Sequence, residues 1–339
     1  MPTLAIPGFV NAHCHAFQRL MRGRAPGGDF WAWRDGMIAI AESISVDELR
    51  REYAATYREL RMNGYTAVGE FHYLGLDEAR AAAAAAEDAG IEFVCLYACY
   101  LRGGSDRFRQ ASVTAYLAEL EALRASGIAV GVTPHSVRAC PPDALHELGR
   151  YAAEHGLPLH VHADEQPREI EECLAETGMR PIELLYDSGC LGPHSTVVHA
   201  THADGHELDL LGETGSRICA CPTTESNLGD GFLPVARVCH REIGMCIGSD
   251  SNARIDPLEE LRELEGIARR QNGARGVISL DALLSFGSDE GAAALGLESV
   301  PDAIVDLDDP QLRGVAEDGL FEALVFSCDG TVLRKTFDQ

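Results

Sequence analysis

The 339-residue chain is 46% hydrophobic and 24% charged, the balance of a soluble globular protein with a sizeable core and room for one large domain or two ordinary ones. Its 53 acidic residues outnumber 28 lysines and arginines for a formal net charge of −25, which repels phosphate backbones and anionic lipid, so neither nucleic acid nor membrane is expected as a partner. No apolar run approaches the roughly 18 residues of a spanning helix. The opening Met1–Pro7 lacks the basic region and apolar core of a signal peptide, and a cytoplasmic protein is expected.

In chain order, β-branched apolar runs at 8–15, 65–72, 91–100, 128–137, 158–165, 195–202, 217–223 and 244–250 predict strands. Amphipathic stretches at 46–63, 77–89, 113–125, 142–155, 166–177, 235–242 and 258–271 predict helices between them. Gly64, Gly90, Gly127 and Gly156 stop helices just before strands. Eight strands with helical returns spell a parallel α/β fold, and eight is the number that closes a (β/α)8 TIM-type barrel. A doubly wound open sheet is the alternative, but no glycine-rich phosphate loop follows the first strand. The barrel is assigned to 1–295. The remainder, 296–339, reads as a reduced C-terminal β appendage with short strands at 303–308 and 322–333. The eleven cysteines include no Cys-x-x-Cys pair and read as reduced, buried small hydrophobes.

The chemistry gathers at strand ends. His13 and His15 stand at i and i+2, on one face of a strand, so two imidazole nitrogens can share one cation. His162 and Glu165 close the run 158–165, His199 follows Thr196-Val197-Val198, and Asp250 ends 244–250. An unpaired imidazole or carboxylate inside apolar surroundings costs several kcal/mol, so these polar strand ends call for one another. A closed barrel supplies the meeting place, because the C-terminal ends of all eight strands surround one mouth. The long connection 16–45 is expected to lie over it. Imidazoles gathered this way suit a divalent zinc, iron or nickel, and a metal site that keeps an open position brings its bound water's pKa toward ~7. His160, two residues before His162, reads as a packed, hydrogen-bonded barrel residue, and His202 as a loop residue without an assigned role.

The motifs resemble a known family. Gly8-Phe9-Val10-Asn11-Ala12-His13-Cys14-His15-Ala16-Phe17-Gln18-Arg19 is similar to the opening motif of the amidohydrolase superfamily, and its Ala-Phe-Gln-Arg extension to the formimidoylglutamate deiminases within it. Phe30-Trp31-Ala32-Trp33-Arg34, Glu70-Phe71-His72-Tyr73, Pro134-His135-Ser136-Val137-Arg138-Ala139 and Val198-His199-Ala200-Thr201-His202 extend the likeness. So do Cys221 to Gly231 and Gly248-Ser249-Asp250-Ser251, so that it runs from about residue 7 to 271. The resemblance implies hydrolysis of N-formimidoyl-L-glutamate to N-formyl-L-glutamate and ammonia, in histidine breakdown, by a metal-bound hydroxide. It implies one divalent metal, usually zinc, with His13, His15, His162 and Asp250 as its ligands and Glu165 as proton shuttle; Asp250 would also orient the nucleophile, and His199 would orient it or stabilise the tetrahedral intermediate. It assigns Gln18, Arg34, Tyr73, His135 and Arg138 to substrate contact, and two arginines suit a small anionic dicarboxylate. A homodimer is the expected assembly.

Two departures stand out. Relatives carry a longer N-terminal segment that shares a small β-sandwich with the C-terminus, so here that unit is expected to be reduced or the reading frame incomplete. Relatives often show Asp-Ser-His where this chain has Asp250-Ser251-Asn252, and a small apolar residue where it has Asp164, which adds a charge beside Glu165. The competing readings are a superfamily deaminase acting on a ring amine, such as a purine or pterin, and a non-catalytic relative that binds only metal or ligand.

Overall fold

The computed structural model describes residues 2–24 and 27–337. Met1, Ala25 and Pro26 of the predicted 16–45 connection, and the last two residues of the C-terminal segment lie outside the described residues. Among the described residues there are ten strands: β1 (Thr3–Ile6), β2 (Phe9–Cys14), β3 (Tyr65–His72), β4 (Glu92–Cys99), β5 (Ala129–Pro134), β6 (Leu159–Ala163), β7 (Ser195–His199), β8 (Arg217–Ala220), β9 (Met245–Ile247) and β10 (Ala303–Asp306). Strands β2 to β9 form one eight-stranded parallel sheet in sequence order, with helices between successive strands. This is the (β/α)8 arrangement read from the sequence. No helix among the described residues is long and apolar enough to cross a membrane.

The helix boundaries follow local chemistry. Ser45 and Glu48 make a reciprocal capping box at the start of Val46–Met62, satisfying two otherwise orphaned N–H groups. Gly90 and Gly156 end the helices Leu76–Ala89 and Pro142–His155 in left-handed conformations, with φ of 64° and 61°, where a Cβ would be strained.

Closure of the barrel rests on side chains as much as on strand pairing. Only an isolated bridge joins Cys14 at the end of β2 to Asp250 beyond β9. Its backbone bonds are His15 N to Asp250 O at 2.9 Å and Asp250 N to His13 O at 3.0 Å. Below them the Asn11 amide acts as a substitute peptide, accepting from Ser249 N at 2.9 Å and donating to Ser249 Oγ at 2.7 Å. At the other end of the barrel, His160 Nε2 donates to the carbonyl of Ala294 at 2.8 Å, the packed role expected of it.

Three local expectations change. The 16–45 connection contains a 3-10 turn, Ala16–Met21, and a full helix, Phe30–Ser43, capped by Asp29. The predicted strand at 322–333 is instead a helix, Leu320–Ser327, followed by a 3-10 segment, Gly330–Phe337. A short continuous apolar run does not distinguish strand from helix by period. Here burial of Leu324 and Val325 and donation from Arg262 Nη1 to the carbonyls of Val325 and Cys328 decide for helix. The strand expected at 303–308 is β10, and it pairs antiparallel with β1, a strand before the barrel that periodicity had not marked.

Candidate active site

His13 and His15 from β2 and its end, His162 from β6 and Asp250 after β9 converge at the barrel mouth, all buried. One ligand atom from each lies within 4.8 Å of every other. His13 Nε2 is 3.1 Å from His162 Nε2 and 3.5 Å from Asp250 Oδ1, and His15 Nε2 is 3.3 Å from the same oxygen. A four-coordinate cation with ligands at about 2.0–2.1 Å has tetrahedral edges of about 3.3 Å. The donor set therefore fits a divalent metal.

The ring tautomers agree with that fit. His15 Nδ1 donates to the carbonyl of Phe71 at 2.9 Å and His162 Nδ1 to that of His135 at 3.0 Å. Each bond fixes the proton on Nδ1 and leaves the Nε2 lone pair aimed at the centre. Burial, reinforced by neighbouring imidazoles, holds His13 and His162 well below the usual histidine range, and burial also lowers His15. All three are then neutral, the form that ligates metal.

The catalytic candidates His199 and Glu165 stand beside the same cluster. His199 Nε2 lies 3.6 Å from Glu165 Oε1 and 3.9 Å from Asp250 Oδ2. Its Nδ1 faces Glu225 Oε1 at 3.3 Å, and that oxygen also accepts the Cys221 N–H at 2.9 Å. Burial alone would lower His199, but the carboxylates of Glu165, Glu225 and Asp250 outweigh it and raise it to about 10. Asp164, His199, Ala200, Asp250 and Asn252 all have positive φ, between 44° and 75°. Left-handed backbone at non-glycine residues is costly and clusters where side chains must be aimed.

A family model for the amidohydrolases matches residues 4–300, with these strand ends inside it. The chain belongs to that family. It is 33% identical to the formimidoylglutamate deiminase of Pseudomonas aeruginosa, over 95% of this chain and 80% of the relative. It is 28% identical to a 5-methylthioadenosine/S-adenosylhomocysteine deaminase of Natronomonas pharaonis, over 98% of this chain and 79% of the relative. Among solved structures, a zinc-bound adenosine deaminase of Xanthomonas campestris superposes with a TM-score of 0.88 at 21% identity, covering 98% of this chain and 78% of that one. An amidohydrolase of Brucella melitensis gives 0.81 at 29% identity, over 97% and 84%.

In this amidohydrolase one cleft over the metal ligands is lined by all five residues assigned to substrate: Gln18, Arg34, Tyr73, His135 and Arg138. Gln18 Nε2 donates to Tyr73 Oη at 2.7 Å, and His135 Nδ1 is 3.1 Å from Ser136 Oγ. Phe30, Trp33 and Met37 of the Phe30–Ser43 helix complete the wall, together with Tyr100 and Leu228. Arg34 has no ion pair among the described residues, and its guanidinium sits 5.8 Å from the Trp31 ring. Arg138 is engaged, donating to Glu165 Oε2 at 3.0 Å and lying 3.4 Å from Glu169 Oε1.

Glu225, Glu169 and Asn11 were not singled out from the sequence, although Glu225 and Asn11 lie inside quoted motifs. Glu169 is fully buried and accepts the Glu165 N–H at 3.1 Å, so it holds the backbone of Glu165. Asn252, where the resemblance led to an expected histidine, is a tie rather than a titrating group. Its Nδ2 donates to His15 O at 2.9 Å and Asp250 O at 3.1 Å, and its Oδ1 accepts from Ser249 Oγ at 2.7 Å. Asp164 adds less charge than its sequence position suggested. Burial, reinforced by Glu207, pushes its carboxyl well above the usual range, with Arg180 at 4.0 Å. His202 makes a backbone bond to Asp164 O and does not line the cleft.

Proposed function

We propose that this amidohydrolase is a divalent-metal deaminase, zinc being the preferred ion, that hydrolyses N-formimidoyl-L-glutamate to N-formyl-L-glutamate and ammonia. The observation that carries the reading is the cleft itself, which Arg34, Arg138 and Glu165 line together with His15, His162 and Asp250 of the four-residue cluster. The 33% identity to a formimidoylglutamate deiminase over 95% of the chain supports it.

His13, His15, His162 and Asp250 would hold the divalent metal, which when bound would supply an acidified water and Lewis-acid polarisation of the formimino group. The remaining work belongs to the protein. Arg34 and Arg138 pair with the two carboxylates of the substrate, and Gln18, Tyr73 and His135 supply further polar contacts. When a substrate carboxylate takes Arg138, Glu165 Oε2 loses its partner and becomes free to accept a proton. Glu165 then takes a proton from the attacking water and delivers it to the departing nitrogen, as the new C–O bond forms and the C–N bond breaks. His199, oriented by Glu225, faces the same space and steadies the developing charge. The cationic formimino group is matched by Glu165 and Asp250.

A ring-amine deaminase is the second reading, favoured by the aromatic wall of Phe30, Trp33, Tyr73 and Tyr100 and by relatives that deaminate adenosine derivatives. Ammonia release on formimidoylglutamate, 5-methylthioadenosine, S-adenosylhomocysteine and 5'-deoxyadenosine, with protein of measured metal content, decides between them. The proposal requires kcat/KM for the linear substrate to exceed the others by at least about a hundredfold, the size of a lost carboxylate–arginine recognition. Equal or greater activity on a nucleoside overturns it. A reducing, cytoplasmic setting is consistent with eleven unpaired cysteines.

A further inference from the structure

Beside the principal ligand cluster a second one is built. His199, Cys221 and Asp250 each offer an atom within 4.8 Å of the other two, and all three residues are buried. Asp250 divides its oxygens between the clusters, with Oδ1 toward His13 and His15 and Oδ2 toward His199 at 3.9 Å. A carboxylate presented in this way can bridge two cations, which in two-metal sites stand about 3.5–4 Å apart. His199 Nε2 is buried with no hydrogen-bond partner among the described residues, an orphaned lone pair or proton pointed into this cluster. Glu225 holds two of the three residues at once, the ring of His199 through Nδ1 and the backbone of Cys221 through its N–H. A carboxylate behind a ligating histidine is the usual support for a metal-binding imidazole.

We propose that His199 Nε2, Cys221 Sγ and Asp250 Oδ2 form a second, weaker site for a thiophilic divalent cation such as zinc, cobalt or cadmium, and that filling it switches the enzyme off. The inhibitory part rests on the reading above of His199 and Asp250 as working groups. Imidazole, thiolate and carboxylate together suit these ions. The Cys221 thiol and the His199 Nε2–H each give up a proton to solvent as the ion binds, so the site takes metal with release of two protons. The 3.9 Å separation of His199 and Asp250 exceeds the edge of about 3.3 Å in a tight tetrahedral site, so the ligands must draw inward and affinity falls below that of the principal centre. An ion there occupies the His199 nitrogen that faces Glu165 and the second oxygen of Asp250, which removes both from the proton path.

The test starts from full-length protein loaded with one equivalent of zinc. Zinc, and separately cadmium, is then added in excess while bound metal, ultraviolet thiolate-to-cadmium charge transfer and ammonia release are followed. The wild-type protein is expected to take a second equivalent, to develop the charge-transfer band with cadmium and to lose turnover in step. Cys221→Ala is expected to keep the first equivalent and basal turnover, to lose the band, and to bind the second ion at least about tenfold more weakly. Cys221→Ser, closer in size, serves if the alanine variant does not fold. Cys219→Ala, at a buried neighbouring cysteine, is expected to behave as wild type. A wild-type protein that stops at one equivalent overturns this proposal alone. So does a Cys221 variant that still takes the second ion and is still inhibited. A protein that binds no ion at all overturns the principal centre and this one with it.

Discussion

Asn252→Ala is the most direct probe of how the first and last barrel strands are held around the metal. The substitution removes three buried hydrogen bonds, to His15 O, Asp250 O and Ser249 Oγ. Each contributes about 1 kcal/mol net. Alanine must also adopt the φ of 57° that asparagine tolerates better, at about 1 kcal/mol more. The sum is about 3–4 kcal/mol. With an unfolding entropy near 2.1 cal/mol/K per residue, a chain of 339 residues shifts by roughly 1.4 °C for each kcal/mol, giving a fall in Tm of about 4–6 °C. Because the lost bonds hold the backbone of two metal ligands, metal affinity is expected to drop about 10–100-fold as well. Calorimetry on metal-free protein reads the first quantity, and competition with a chelating indicator reads the second. A variant that melts within about 1 °C of wild type and holds metal equally well refutes the idea that Asn252 ties the barrel closed.

Glu165→Gln should retain the metal and lose about 10²–10⁴-fold in kcat, measured by ammonia release, since an amide cannot carry the proton. Arg34→Ala should raise KM with little change in metal content or Tm, because Arg34 has no ion pair among the described residues to lose. Arg138→Ala should change both KM and kcat, because it also strands Glu165 and buried Glu169. An effect confined to KM would show that its bond to Glu165 is idle. Two buried groups oppose each other where their windows overlap, between pH 4.5 and 6.5, and leave a net loss of stability from pH 6.5 to 8. Burial raises Glu70 from 4.5 to about 8, so the folded state holds a proton the unfolded chain has released, and stability is lost as pH rises from 4.5 through 8. Burial lowers His72 from 6.5 to about 4, so the unfolded chain binds the proton first, and stability is lost as pH falls from 6.5 through 4. Glu70→Gln should flatten the alkaline limb in urea titrations at pH 6.5 and 8, and should steepen the acid limb between pH 6.5 and 4.5, where Glu70 no longer offsets His72. An unchanged alkaline slope would rule Glu70 out as its source.

Local pattern determined a great deal here. Apolar runs of strand length, punctuated by glycine, placed the eight barrel strands to within a few residues. His13 and His15 were legible because the strand period puts i and i+2 on one face. The ends drifted where side chains had to be re-aimed. The runs predicted to reach residue 202 and residue 223 stop at His199 and Ala220, since a positive φ at His199 and a helix beginning at Pro222 end the extended backbone.

What tertiary structure alone decided are the partnerships across long separations. Asn11 meets Ser249 and Cys14 meets Asn252 over 238 residues, and no local period encodes such a pairing. Arg138 read as a substrate contact from its motif, but only folding shows it bonded to the carboxylate of Glu165. Glu225 was one acid in a helix until β7 brought His199 against it. The helical state of 320–327 likewise depends on Arg262 arriving from another helix to receive its carbonyls. Side-chain spacing along one strand or helix follows from covalent geometry and can be counted in the chain. Contacts between elements depend on how those elements pack, and that is settled only when the barrel closes.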